Sequence, residues 1–160
     1  MGEYEIYPAY EDFFEYNGST EIIRTRKLNR MGQSPKLLII DDDEHILAKL
    51  CYFLSDKNYD VTSASDGLEG MKLFENDQQG FDLVITDIVM PKISGMGLIS
   101  IIKKRFPDTP VIAITGWGEY PGAFATESQA DKVLSKPFEL SELEKAINEL
   151  IFSKRPNVQD

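Results

Sequence analysis

The chain of 160 residues has one cysteine, one histidine and one tryptophan. A single cysteine excludes an internal disulfide and a cysteine-rich zinc site, and it fits a reducing compartment. Basic residues are also few: 17 Lys and Arg stand against 27 Asp and Glu, a formal net charge of −10. With no basic run to displace counterions from phosphates, the sequence argues against a nucleic-acid partner. No apolar stretch approaches the roughly 18 residues of a membrane-spanning helix. The N-terminus opens acidic and aromatic, without the basic and apolar regions of a secretory signal. These absences predict a soluble, cytoplasmic protein. What is present can fill a core: 42% of residues are hydrophobic and 11% aromatic. The length suits one domain with a short appendage.

The composition shifts near residue 34. Residues 1–34 hold six acids and four bases, and six of the first 16 residues are aromatic (Tyr4, Tyr7, Tyr10, Phe13, Phe14, Tyr16). Asn17-Gly18 is a hairpin signal; a helix over Ala9–Tyr16 begun by Pro8 is the rival reading. Too small to fold alone, this extension is expected to pack on the rest of the chain or to make a partner or dimer contact. The boundary is Met31-Gly32-Gln33-Ser34-Pro35, a polar stretch with both Gly and Pro. Residues 35–152 then form the main domain, and residues 153–160 a polar tail.

Within the main domain, short apolar runs alternate with amphipathic stretches. Leu37–Ile40 reads as a strand buried on both faces. Tyr59–Ser63, Leu83–Ile85, Val111–Ile114 and Lys132–Leu134 read as four more. Between and after them, Ile46/Leu47/Leu50/Leu54, Leu68/Met71/Leu73/Phe74, Leu98/Ile101/Ile102/Phe106 and Leu140/Leu143/Ile147/Leu150 recur at helical spacing. The alternation predicts an α/β fold: a flavodoxin-like, doubly wound, five-stranded parallel sheet of order 2-1-3-4-5, with helices on both faces. Such sheets carry their clefts at the C-terminal ends of the strands.

Chemistry-bearing residues stand at those ends. Asp41-Asp42-Asp43-Glu44 follows the first strand, Thr86-Asp87 ends the third, Thr115-Gly116 the fourth, and Ser135-Lys136-Pro137 the fifth. The strand order sets Asp41, Asp42 and Asp87 close together, where like charges disfavour one another unless a cation joins them. Oxygen ligands without His or Cys favour Mg2+ or a similar hard ion. One carboxylate of such a cluster can act as a nucleophile towards phosphorus. The metal on one side and Lys136 on the other would neutralise the phosphoryl oxygens, with Thr115 as hydroxyl donor.

Taken together, the acidic pair Asp41-Asp42, the Leu-Val-Ile-Thr-Asp-Ile-Val-Met-Pro run ending at Pro91, Thr115 and Lys136-Pro137-Phe138 resemble the receiver domain of two-component response regulators. The resemblance covers residues 36–152. It implies that Asp87 is the phosphoacceptor and that Asp42 is a direct metal ligand, with Asp41 nearby in the acidic pocket. It further implies that Val89 gives its backbone carbonyl to the metal, that Thr115 binds the phosphoryl group, and that Lys136 pairs with it. Asp43 stays outside the metal's ligands. The implied partners are a histidine kinase or histidine phosphotransfer protein and a downstream protein, with Mg2+ as cofactor. The implied activity is that of a signalling phosphoacceptor with limited self-phosphorylation and autodephosphorylation, rather than of an enzyme.

Two departures bear on output. Receivers usually carry Tyr or Phe three residues before the lysine, where this chain has Val133. The segment Gly116–Gly122 holds three glycines and a proline, which leaves only a short helix over Ala123–Ala130. Trp117 belongs either to that loop or to the core. His45 reads as a surface residue and Cys51 as buried and inert. Only the polar tail follows the last helix, so the reading is a receiver without a built-in effector. Three rivals remain: a pseudo-receiver that only binds, an aspartate-nucleophile phosphatase, and a nucleotide-binding flavodoxin relative. The phosphatase pattern needs a second acid where Val89 stands. The nucleotide-binding fold needs a glycine-rich turn after the first strand.

Overall fold

The computed structural model describes residues 32–116 and 129–152. The chain separates into two compact units, residues 1–33 and 34–160, and the elements below all belong to the second. Five strands, β1 (Lys36–Ile40), β2 (Asp60–Ala64), β3 (Leu83–Asp87), β4 (Val111–Thr115) and β5 (Lys132–Ser135), form one sheet. All neighbours pair in parallel, in the order β2-β1-β3-β4-β5. The helices among the described residues are α1 (Glu44–Asp56), α2 (Gly67–Asn76), α3 (Gly95–Arg105) and α4 (Leu140–Phe152). The doubly wound order read from the alternation is the order observed.

Successive strand residues face opposite sides of the sheet, and the core divides accordingly. Leu38, Ile40, Val84 and Ala113 pack with Met71 and Phe74 of α2 and Leu98, Ile99 and Ile102 of α3. Leu37, Ile39, Leu83, Ile85, Ile112 and Ile114 pack with Leu50 and Leu54 of α1 and Leu143, Ala146 and Ile147 of α4. Strands β3 and β4 are buried throughout, whereas the edge strand β5 is only half-buried. Each fully buried Leu or Ile contributes about 1.5–3 kcal/mol. A surface ion pair such as Lys132–Glu149 (2.5 Å) contributes less than one such side chain. Apolar burial therefore holds the sheet, and the charges are left to arrange its ends.

The helices start where side chains can bond their first free amides. Asp43 caps α1, accepting from the His45 and Ile46 amides. Asp66 caps α2 through the Glu69 amide, while Glu69 returns a carboxylate oxygen to the Ser65 amide (2.8 Å). Ser94 caps α3 through the Gly97 amide. Each cap lies just beyond the C-terminal end of a strand and so fixes the loop that leads out of it.

The structure corrects two expectations. The second strand is Asp60–Ala64, one residue later than expected, because Tyr59 belongs to the turn, its amide donating to the Leu54 carbonyl. Leu68 lies in α2 as expected but is exposed; the helix turns Gly67, Gly70, Met71 and Phe74 inward. A Cβ at Gly70 would run into the Ile40 side chain, so glycine lets the helix approach where a leucine pattern predicts a larger residue. Cys51 is half-buried rather than buried, packed at the edge of the α1 core. Burial pushes its thiol pKa up, against an opposing hydrogen bond with Ser63. His45 is exposed, as expected. The hairpin or helix within residues 1–31, Trp117, nearly all of the helix expected over 123–130, and the tail 153–160 lie outside the described residues.

Candidate functional site

Strands β1 and β3 are neighbours, with Ile40 opposite Thr86, so the residues that follow each strand end emerge side by side. The carboxylates of Asp41, Asp42 and Asp87 each offer an oxygen, and these oxygens lie within 4.8 Å of one another. Asp41 and Asp87 are buried and Asp42 is exposed. Strand β5 ends two places away across β4, with Thr115 opposite Ser135. The next residue, Lys136, reaches back over the sheet end: its Nζ lies 3.3 Å from Asp41 Oδ2 and 3.5 Å from Asp87 Oδ2. Its amide donates to the Thr115 carbonyl (2.7 Å), which ties the lysine to the end of β4. The Lys136-Pro137 peptide is cis. Thr115 itself is fully buried.

Each buried carboxylate has one oxygen held by the main chain and the other turned to the lysine. Asp41 Oδ1 accepts from the Asp43 amide (2.8 Å). Asp87 Oδ1 accepts from the Ile88 amide (3.0 Å). The Asp87 backbone is fixed as well: Thr86 Oγ1 donates to its carbonyl (3.0 Å), and the Ile88 amide also reaches the Ile114 carbonyl (3.0 Å). A Cβ at Gly95 would lie 2.7 Å from Ile88 Cα and closer still to the Asp87 carbonyl oxygen. Only glycine fits where α3 starts against the end of β3. Asp43 is occupied as the cap of α1. Val89 sits in the loop after β3 with its side chain largely exposed.

Burial, followed by the Asp41 carboxylate, raises the pKa of Asp87 above the ordinary aspartate value, with a smaller push from Asp42. The Lys136 ammonium and the Ile88 amide oppose the rise. Three carboxylates against one ammonium leave two negative charges uncompensated, which a divalent cation would neutralise. The donors are all oxygen, which fits a hard ion such as Mg2+. Among the described residues this is the one cluster of three or more possible ligands.

Comparison with known proteins agrees with this geometry. The family model for the response regulator receiver domain matches residues 37–148. The chain belongs to the receiver family. Receivers are the phosphoaccepting domains of two-component signalling: they take phosphoryl groups from histidine kinases and bind Mg2+ in an acidic pocket. This receiver is 35% identical over 121 residues to the transcriptional regulatory protein GlrR of Escherichia coli, covering 75% of this chain and 27% of GlrR. It spans well under two thirds of that relative. A receiver domain structure from Clostridium thermocellum is 37% identical, with a TM-score of 0.69 over 75% of this chain and 96% of that one. The response regulator TrrA of Thermotoga maritima, solved in complex with Mg2+-BeF, is 31% identical, with a TM-score of 0.65 over 72% of this chain and 98% of that one. No helix among the described residues is long and apolar enough to cross a membrane.

The sequence reading named Thr86 without giving it a role, and it passed over Gly95 and the contacts that anchor the loop after β3. Lys92 in that loop pairs with Asp66 at the start of α2 (2.8 Å). The spacing Asp66-x-x-Glu69 carries a capping signal, but the partner lies 26 residues away in sequence, where no local pattern points to it.

Proposed function

We propose that this receiver accepts a phosphoryl group on Asp87 from a protein phosphohistidine, with Mg2+ bound by the Asp42 and Asp87 carboxylates and the Val89 carbonyl, and Asp41 beside them. The observation that carries this reading is the convergence of three carboxylates within 4.8 Å with Lys136 3.5 Å from Asp87. Asp87 Oδ2 is the nucleophile. Its lone pair forms the O–P bond as the N–P bond breaks, and that bond's electron pair returns to the imidazole nitrogen. The amide of Ile88 holds Oδ1, so the carboxylate cannot turn both oxygens away from the incoming phosphorus. Lys136 exchanges its contact with Asp87 for one with a phosphoryl oxygen, and the Thr115 hydroxyl donates to another. Mg2+, when bound, would neutralise charge on the phosphoryl oxygens. Water later attacks phosphorus, the Asp87 O–P bond breaks, and inorganic phosphate leaves with the carboxylate restored.

A decisive experiment is incubation with Mg2+ and acetyl phosphate, followed by intact-mass measurement. The expected result is a single phosphoryl adduct that is absent without Mg2+ and absent in Asp87→Ala. An adduct that persists in Asp87→Ala, or no adduct together with no response to beryllofluoride, rejects the assignment. The binding-only pseudo-receiver predicts the last of these outcomes; the converging Asp41, Asp42, Asp87 and Lys136 set favours the Asp87-dependent adduct.

A further inference from the structure

We infer that Asp66 is a positioning residue for the acceptor loop, holding through Lys92 the backbone that carries Val89 to the acidic pocket. The consequence for Mg2+ rests on the phosphoacceptor reading above; the clamp rests on geometry alone.

The loop between β3 and α3 runs from Ile88 to Ser94 and is fastened at both ends. At one end the Ile88 amide bonds the Ile114 carbonyl, and the Ile88 carbonyl accepts from the Gly95 amide (2.9 Å). Met90 is buried in the core between α2 and α3. The residues on either side of it, Val89 and Pro91, are exposed, so the core does not grip them. The next fastening is Lys92. It stands at φ 67°, a left-handed conformation that a residue with a Cβ adopts at an energetic disadvantage. Such a conformation persists where surrounding contacts hold it. The contact here is the ion pair from Lys92 Nζ to Asp66 Oδ2 (2.8 Å).

Asp66 is a fixed anchor rather than a mobile surface acid. Its other oxygen, Oδ1, caps α2 by accepting from the Glu69 amide (2.8 Å). Glu69 in turn accepts from the Ser65 amide and hydroxyl (2.8 and 3.0 Å). Gly67, next in the chain, lies so close to the loop that a Cβ there would sit 3.0 Å from Ile93 Cβ and nearer still to the Ile93 carbonyl oxygen. The start of α2 and the loop are therefore in backbone contact at Gly67–Ile93 and joined by charge at Asp66–Lys92. These two adjoining contacts define where the chain returns after Val89.

Asp66→Asn separates the two roles of Asp66, because Asn caps a helix as well as Asp does but cannot hold the Lys92 charge. Two quantities are measured on the full chain: amide exchange of peptides covering residues 88–94, and the Mg2+ concentration that half-saturates phosphorylation by acetyl phosphate. The variant is expected to exchange faster in this loop, to need about three-fold more Mg2+ or greater, and to melt within about 2 °C of the wild type. Lys92→Met should behave alike, the double variant should add nothing further, and Lys92→Arg should return both readings towards wild type. Unchanged exchange and unchanged Mg2+ dependence in Asp66→Asn overturn the inference. If the wild type takes no phosphoryl group, the phosphoacceptor reading fails, and the exchange comparison alone still decides the clamp.

Discussion

At the scale of single residues, the site is a balance of charge against burial. Asp87 is buried beside Asp41, and its raised pKa records that its ionised form is disfavoured there. Removing one of the mutually repelling carboxylates should stabilise the metal-free protein. Asp87→Asn is therefore expected to raise stability by about 1 kcal/mol at pH 7 with chelator present. Chemical denaturation of both proteins checks this, and a loss of stability would mean that Lys136 already compensates Asp87 fully. If Asp87 is phosphorylated as proposed, Val89 bears on the later hydrolysis. Its exposed apolar side chain cannot hydrogen-bond a water approaching phosphorus from the loop side. Val89→Asn is expected to shorten the lifetime of the phosphorylated form about ten-fold by orienting that water. Decay followed by intact mass measures it, and equal lifetimes would remove Val89 from any part in hydrolysis. Asp41, Asp42, Asp87 and Lys136 were legible in the sequence as a set: each alone reads as an ordinary loop, cap or surface residue, but together they stand at strand ends that a doubly wound sheet brings to one edge. Thr86 and Gly95 were not, since each acts through the backbone of a neighbour.

At the scale of elements, the opposite end of the sheet is held by a different charge pair. Lys36, the first residue of β1, pairs with Asp77 at the C-terminal cap of α2 and lies over the Phe81 ring, 5.0 Å from its centroid. Burial alone would raise the Asp77 pKa. The Lys36 ammonium and the amides of Gln79 and Gly80 outweigh it and hold the carboxyl below its ordinary value of 3.8. A depressed acid stabilises the fold above its unfolded pKa, and that contribution disappears as pH falls through the folded one. Asp77→Asn keeps the two amide bonds and loses the charge. At pH 7 it should cost about 1 kcal/mol or less once solvent screening is allowed for. Its cost should shrink below pH 3.8 and vanish under more acid conditions. Denaturation midpoints across that range test the sign; a cost that grows on acidification contradicts it. The elements themselves were legible because β1, β3 and β4 are uninterrupted apolar runs. Helix α2 was legible as an element, but its buried face was not, because that face uses Gly67 and Gly70 and close approach through glycine leaves no trace in an apolar pattern.

At the scale of the whole molecule, the fold brings residues 41, 87 and 136 to one sheet end through three separate strands, so site and fold stand or fall together. The topology makes this readable in advance: once the order 2-1-3-4-5 is known, the ends of β1 and β3 must adjoin. The pairing of Lys92 with Asp66 was not readable, because it depends on how two loops pack rather than on strand order. Output through Val133 is a related case. The residue packs at the margin of the core that includes α2 and α3, and its own side chain is aliphatic where receivers usually carry an aromatic ring. Linkage between the site and global stability offers the broadest test. A cation that binds only the folded state stabilises it by RT ln(1 + [L]/Kd), about 1.4 kcal/mol at ten times Kd. For a domain of this size that corresponds to a rise in Tm of about 4–8 °C. Mg2+ should produce such a rise in the wild type and most of it should vanish in Asp42→Asn, whereas Asp43→Asn, which retains the cap of α1, should respond like the wild type. Thermal melts over a Mg2+ series decide between them. If Asp42→Asn and Asp43→Asn respond alike, the cation is held by general acidity at the sheet end rather than by the three carboxylates that converge there.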